Sequence, residues 1–175
     1  ENMILKIKEK EIDGINVTVP FKKKIIPFLD YLSPEAKKTQ SVNTIYLSKN
    51  KVVGHNTDIE GFERSIRDTN FDLKNKEVFI LGAGGVVPSI IYALKKAKVS
   101  KIMISNRTIN KAENLRNLFE ECEVVEWGKL VNFDMIVNAT SIGLKKEDQI
   151  DINFSEVGKN KFFYDVIYNP SETNF

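Results

Sequence analysis

The chain is short of the residues that build disulfide frameworks and metal clusters. Its 175 residues include one cysteine, Cys122, and one histidine, His55. A lone cysteine cannot close an internal disulfide, which fits a reducing compartment and a cytoplasmic location. No apolar run approaches the ~18 residues of a membrane span, so a membrane partner is not expected. Charge of one sign is also missing, because 26 Lys and Arg stand against 24 Asp and Glu, a net +2. With no basic tail and no RNA-binding aromatic signature, nucleic acid is not an expected partner either. Internal repeats and low-complexity segments are absent. The opening, E-N-M-I-L-K-I-K-E-K, reads neither as a signal peptide nor as a natural start. What remains is an ordinary globular composition, 42% hydrophobic and 29% charged, enough for one domain or two small ones.

Two patterns divide the chain. In the first, residues 14–19 (G-I-N-V-T-V) read as a strand and Phe21 to Leu32 as a helix, although Pro27 interrupts it. Segments 42–48 and 51–55 flank Lys49-Asn50 and suggest a hairpin. Thr57 or Asp58 reads as the cap of a helix over 59–68. Polar residues 69–76 suggest a boundary, giving domains 1–69 and 70–175. Beyond it, strands at 77–81, 101–105, 122–126, 134–139 and 161–168 alternate with helices at 86–96 and 111–121. That alternation predicts an α/β fold: an N-terminal α/β domain, then a Rossmann-like, doubly wound parallel sheet.

The phrase I-L-G-A-G-G (80–85) lies between a strand and a helix. Residues without a Cβ let backbone approach a pyrophosphate, and the next helix offers free N–H groups and a positive dipole end. Gly82 and Gly84 fit the first two glycine positions, while Val87 stands where the third is usual. A turn without ligand is the competing reading, but the context favours a dinucleotide. An NAD enzyme places an acid at the end of the second strand, about twenty residues on. Here that place reads S-N-R-T (105–108), with Lys111 following and no acid. Arg107 can pair with a 2′-phosphate, Thr108 can donate a hydrogen bond and Lys111 adds charge, which points to NADP.

The lysine cluster at 22–24, delivered by an apolar strand, reads on its own as a solvated face. A resemblance changes that. The phrases N-V-T-V-P-F-K (16–22), S-V-N-T-I (41–45), G-H-N-T-D-I-E-G-F (54–62), I-L-G-A-G-G (80–85), S-N-R-T (105–108), N-A-T-S-I-G (138–143) and Y-D-V-I-Y-N-P-S-E-T (164–173) resemble the shikimate/quinate dehydrogenase family in order and spacing.

The resemblance implies reversible reduction of 3-dehydroshikimate to shikimate by NADPH, on the route to aromatic amino acids. It implies that Lys22 and Asp58 are catalytic, with Lys23 and Lys24 solvated. Thr18, Asn43, Asp58 and Tyr168 are the implied substrate contacts. Gly82, Ala83, Gly84, Gly85, Asn106, Arg107, Thr108, Lys111, Asn138, Ala139, Thr140 and Ile167 are the implied cofactor contacts. His55 and Cys122 fall outside the catalytic positions and read as structural, with no metal.

Family members are longer at both ends, where a serine pair and a glutamine hold the substrate. Residues 1–175 alone are therefore expected to turn over no shikimate. Pro88 stands where many members have arginine, and Ile59-Glu60 replaces commoner small residues. Quinate in place of shikimate, or a dinucleotide-binding piece without turnover, are the competing functions. A monomer and a homodimer are equally compatible with the sequence.

Overall fold

A computed structural model describes residues 2–175. The chain divides into two compact units, Glu1–Asn70 with Pro88–Ala93, and Phe71–Val87 with Leu94–Phe175.

The first unit carries helix α1 (Asn2–Lys8), strands β1 (Gly14–Asn16) and β2 (Tyr31–Leu32), helix α2 (Pro34–Thr39), strands β3 (Thr44–Ser48) and β4 (Lys51–His55), and helix α3 (Asp58–Asp68). Its sheet runs β1-β3-β4-β2, with β1 and β4 antiparallel to β3 and β2 parallel to β4. The β3–β4 hairpin turns at Lys49 and Asn50, both with positive φ, as a two-residue turn matched to strand twist requires. Ile4 and Ile7 of α1 pack with Val17, Ala36, Val42, Ile45 and Val52 to form the core.

Two expectations fail here. The strand expected over 14–19 ends at Asn16, because Phe21 N–H closes a turn on Thr18 C=O (2.9 Å) and takes the chain off the sheet. The helix expected over 21–32 does not form. Pro27 has no N–H to continue a helix, and only a 3₁₀ turn, Ile26–Phe28, survives. Asp30 then ties the chain to β4, its carboxylate accepting from Val52 N–H (2.8 Å), and Tyr31–Leu32 adds a strand beside Val53 and Gly54. Helix α2 has a start signal in Ser33-Pro34: the Ser33 hydroxyl accepts from Ala36 N–H (3.2 Å) and proline occupies the first turn.

The second unit follows its sequence pattern more closely. It holds β5 (Glu77–Leu81), part of α4 (Val87–Lys96), β6 (Lys101–Ser105), α5 (Ile109–Leu118), β7 (Cys122–Val125), β8 (Met135–Asn138) and β9 (Phe162–Asp165). All five strands are parallel in the order β7-β6-β5-β8-β9. Helix α5 begins two residues earlier than expected, with Thr108 as the cap residue, and ends at Leu118 rather than 121. Strands β5, β6 and β8 are buried almost throughout, which explains their unbroken apolar runs. Phe79, Leu81, Met103, Phe133, Ile136 and Ile152 form a core on this sheet. Among the described residues, no helix is long and apolar enough to cross a membrane.

Candidate active site

In the first unit, three segments meet around one carboxylate. Lys22 follows the β1 turn, Asn43 precedes β3, and Asp58 opens α3. Lys22 Nζ donates to Asp58 Oδ2 at 2.7 Å, and Asn43 Nδ2 donates to Asp58 Oδ1 at 2.8 Å. The Lys22 and Asp58 side chains are 13% and 20% exposed, so water screens the pair only in part while the site stays reachable. Asn43 Oδ1 accepts from Thr57 N–H (3.0 Å) and from the Thr44 hydroxyl (3.1 Å), which fixes its amide orientation. Each oxygen of Asp58 thus accepts one bond and keeps acceptor capacity, and Lys22 keeps two further N–H donors for a ligand. Lys23 and Lys24 are exposed. Thr18 is exposed as well.

The cofactor candidates gather at the carboxyl ends of the second unit's strands. In the order β7-β6-β5-β8-β9, the chain direction across the sheet reverses between β5 and β8, where open α/β sheets bind ligands. Gly82 leaves β5 with φ +106°, and a Cβ there would stand 2.6 Å from the Ala139 carbonyl oxygen. Only glycine fits that position, because the turn and the end of β8 are in backbone contact. At Gly84 a Cβ would find nothing nearer than 3.7 Å, so the turn has an open side. Gly82 N–H donates to Ser105 C=O (2.7 Å), joining the turn to the end of β6. Just beyond it, Asn106 Nδ2 donates to Thr108 C=O (2.8 Å) and shapes the loop. Arg107, Thr108 and Lys111 are exposed and make no side-chain hydrogen bond or ion pair among the described residues.

This donor set suits an anionic dinucleotide: an open glycine turn before a ten-residue helix, with uncommitted cationic and hydroxyl groups one strand away. Ser105 adds a buried hydroxyl that has no hydrogen-bond partner among the described residues.

The side chain of Asn138 is fully committed within the protein. Its Oδ1 accepts from Thr140 N–H (3.1 Å) and hydroxyl (2.7 Å), and its Nδ2 donates to Ile142 C=O (3.0 Å) and Asp165 (3.2 Å). Asp165, absent from the sequence-based set, also accepts from Ile167 N–H (2.9 Å) and the Thr173 hydroxyl (2.7 Å). It shapes the loop carrying Ile167 and Tyr168, and Tyr168 is 91% exposed. The aspartate in Y-D-V-I-Y, a residue type that bonds the backbone N–H two residues on, was the available signal.

Cys122 is buried at the start of β7, and burial pushes its thiol up to about 11. The backbone C=O of His55 accepts from Asn43 N–H (3.1 Å). Among the described residues, no group of three or more His, Cys, Asp or Glu could hold a metal ion.

These features define a two-unit α/β protein with a Rossmann-type parallel sheet. Residues 1–45 match the model of the shikimate dehydrogenase substrate-binding domain, and residues 65–166 match that of shikimate/quinate 5-dehydrogenase. The chain belongs to the shikimate/quinate dehydrogenase family.

It is 60% identical over 175 residues to a protein of Pelagibacter ubique named shikimate dehydrogenase (NADP(+)), covering 100% of this chain and 66% of that one. The crystal structure of shikimate dehydrogenase from Aquifex aeolicus aligns with a TM-score of 0.88 at 40% identity, over 97% of this chain and 64% of that one. The Thermus thermophilus enzyme, solved with NADP(H) and shikimate, aligns at 0.85 and 28% identity, over 97% and 63%. The chain thus spans less than two thirds of the length of these relatives.

Proposed function

We propose that this chain belongs to an NADP-dependent shikimate dehydrogenase that reversibly reduces 3-dehydroshikimate to shikimate, and that it works in the cytoplasm. Residues 1–69 serve the substrate and 70–175 the dinucleotide. The observation that carries the reading is the contact of Lys22 with Asp58, whose second oxygen is held by Asn43. When bound, the nicotinamide cofactor supplies or accepts a hydride.

Reduction of a ketone also needs one proton at the carbonyl oxygen, and oxidation of the alcohol returns it. Lys22 gives that proton as an ammonium and takes it back as an amine. Asp58 and Asn43 hold Lys22 in place, and with Thr18 they bind substrate hydroxyls. Tyr168, in the second unit, is a further substrate contact through its exposed phenol. In the second unit, backbone at Gly82, Ala83, Gly84 and Gly85 receives the pyrophosphate. Asn106 shapes the loop from which Arg107, Thr108 and Lys111 grip the 2′-phosphate. Asn138, Ala139, Thr140 and Ile167 border the nicotinamide.

A second reading, quinate as substrate, is favoured by the family model's own description, which covers both acids. The test is NADP⁺ reduction with shikimate and quinate side by side, by the protein as the cell makes it rather than by residues 1–175 alone. Rapid NADPH formation with shikimate supports the proposal, and a preference for quinate moves it to the second reading. Failure of both substrates overturns it.

A further inference from the structure

The backbone of Asp58 is held as deliberately as its carboxylate. Asp58 opens α3, so its N–H has no partner inside the helix. Thr57, in the cap position, makes no side-chain cap bond. The Oδ1 of Asn56 accepts from Asp58 N–H instead, at 3.0 Å. Asn56 is 3% exposed. Its Nδ2 donates to Ser41 C=O (2.9 Å) and to Ser89 Oγ (2.9 Å), and lies 3.3 Å from Thr39 Oγ1. A carbonyl can only accept and a backbone N–H can only donate, so these opposite demands admit one orientation of the amide. Thr39 spends its own proton on Glu35 C=O (2.8 Å) and is left to accept. Thr39 and Ser89 are fully buried, and water does not compete for these bonds.

The pinned segment reaches the other members of the site. Val42 N–H, directly after Ser41, donates to Lys22 C=O at 2.9 Å. Asn43, one residue on, grips the Asp58 carboxylate. One buried amide thereby bridges the segment bearing Asp58 to the segment that anchors Lys22 and carries Asn43. We infer that Asn56 is a positioning residue, which sets the register of Asp58 against Lys22 and Asn43, is oriented by the Ser41 carbonyl and is braced by Ser89. The inference rests on the proposed role of Lys22 and Asp58, but its structural half can be read without turnover.

The experiment compares the intact wild-type protein with Asn56→Ala, Asn56→Ser and Ser89→Ala. Small displacements of positioned groups cost up to about 10²-fold in rate, so Asn56→Ala should lower kcat with shikimate by roughly 10–100-fold while KM for NADP⁺ stays unchanged. Asn56→Ser keeps an oxygen able to accept from the N–H two residues on, and should recover part of the loss. Ser89→Ala should lose a smaller factor, and it reads the same network if Asn56→Ala does not fold.

Hydrogen exchange of the Asp58 amide, followed by NMR, gives the readout that needs no substrate. Protection should fall in Asn56→Ala and return in Asn56→Ser. A wild-type protein inactive on shikimate would sink the proposed function, and the exchange data would still decide the amide's role. An active wild type whose variants keep kcat within twofold, or lose only thermal stability, would overturn the positioning role. So would an Asp58 amide equally protected in all variants.

Discussion

Arg107→Ala should separate the two nicotinamide dinucleotides without disturbing the fold. The Arg107 guanidinium lies exposed after β6 and makes no bond to the rest of the described chain, so its removal breaks nothing in the protein. Exposed substitutions of this kind change stability by less than about 0.5 kcal/mol, and the melting temperature should hold within experimental error. Its worth appears only with a 2′-phosphate. Charge-assisted hydrogen bonds contribute roughly 1.5–3 kcal/mol, and about 1.4 kcal/mol is a factor of ten in affinity. NADPH affinity should therefore fall about ten- to hundredfold, while NADH, which carries only a hydroxyl there, should change less than about twofold. Titration of cofactor fluorescence against wild type and Arg107→Ala measures this directly. Thr108→Val and Lys111→Ala should show the same selectivity at smaller size. Equal losses for NADPH and NADH would refute the assignment of this loop to the 2′-phosphate.

Three further outcomes follow from the geometry. Gly82→Ala must place a Cβ 2.6 Å from the Ala139 carbonyl oxygen at φ +106°, and should destabilise by roughly 1–3 kcal/mol from backbone strain alone; thermal melting checks this, and an unchanged midpoint would contradict it. With its thiol pushed up to about 11, Cys122 should carry about one thiolate in a thousand at pH 8, so native protein should label with iodoacetamide far more slowly than urea-unfolded protein. The N–H groups of Gly143 and Lys145 hold the Asp148 carboxyl below its ordinary value. A lowered folded value stabilises at pH above the unfolded one and is lost as pH falls through the folded one. Asp148→Asn should therefore melt below wild type at neutral pH, with the gap closing below about pH 4; a gap that widens in acid would contradict the sign.

The second unit was legible because its central strands, β5, β6 and β8, are buried on both faces. E-V-F-I-L and K-I-M-I-S are unbroken apolar runs between turns, and both formed with the expected bounds. The first unit was harder because its elements are short and tied by side chains. Residues 21–32 have helix-like apolar spacing, but one proline and the Asp30–Val52 bond redirect them into a two-residue strand. Local periodicity carries no record of a partner 22 positions away. Lys22, Asn43 and Asp58, assigned by family phrase, do lie within hydrogen-bonding reach of one another through Asp58. Asn56 and Asp165 escaped notice because their work is to hold other groups. Beyond a local bond to the N–H two residues on, Asn56 reaches Ser41 and Ser89, and Asp165 reaches Asn138 and Thr173, partners that local sequence does not mark.

The most direct test of the account is steady-state reduction of NADP⁺ by shikimate with the intact protein, wild type beside Lys22→Ala and Lys24→Ala. Loss of a positioned proton-transfer group should lower kcat by roughly 10²–10⁴-fold in Lys22→Ala, about 2.7–5.4 kcal/mol in the barrier. Lys24, exposed and outside the contact with Asp58, should be near neutral when replaced. A Lys22→Ala protein as fast as wild type, or a crippled Lys24→Ala beside a healthy Lys22→Ala, would contradict it.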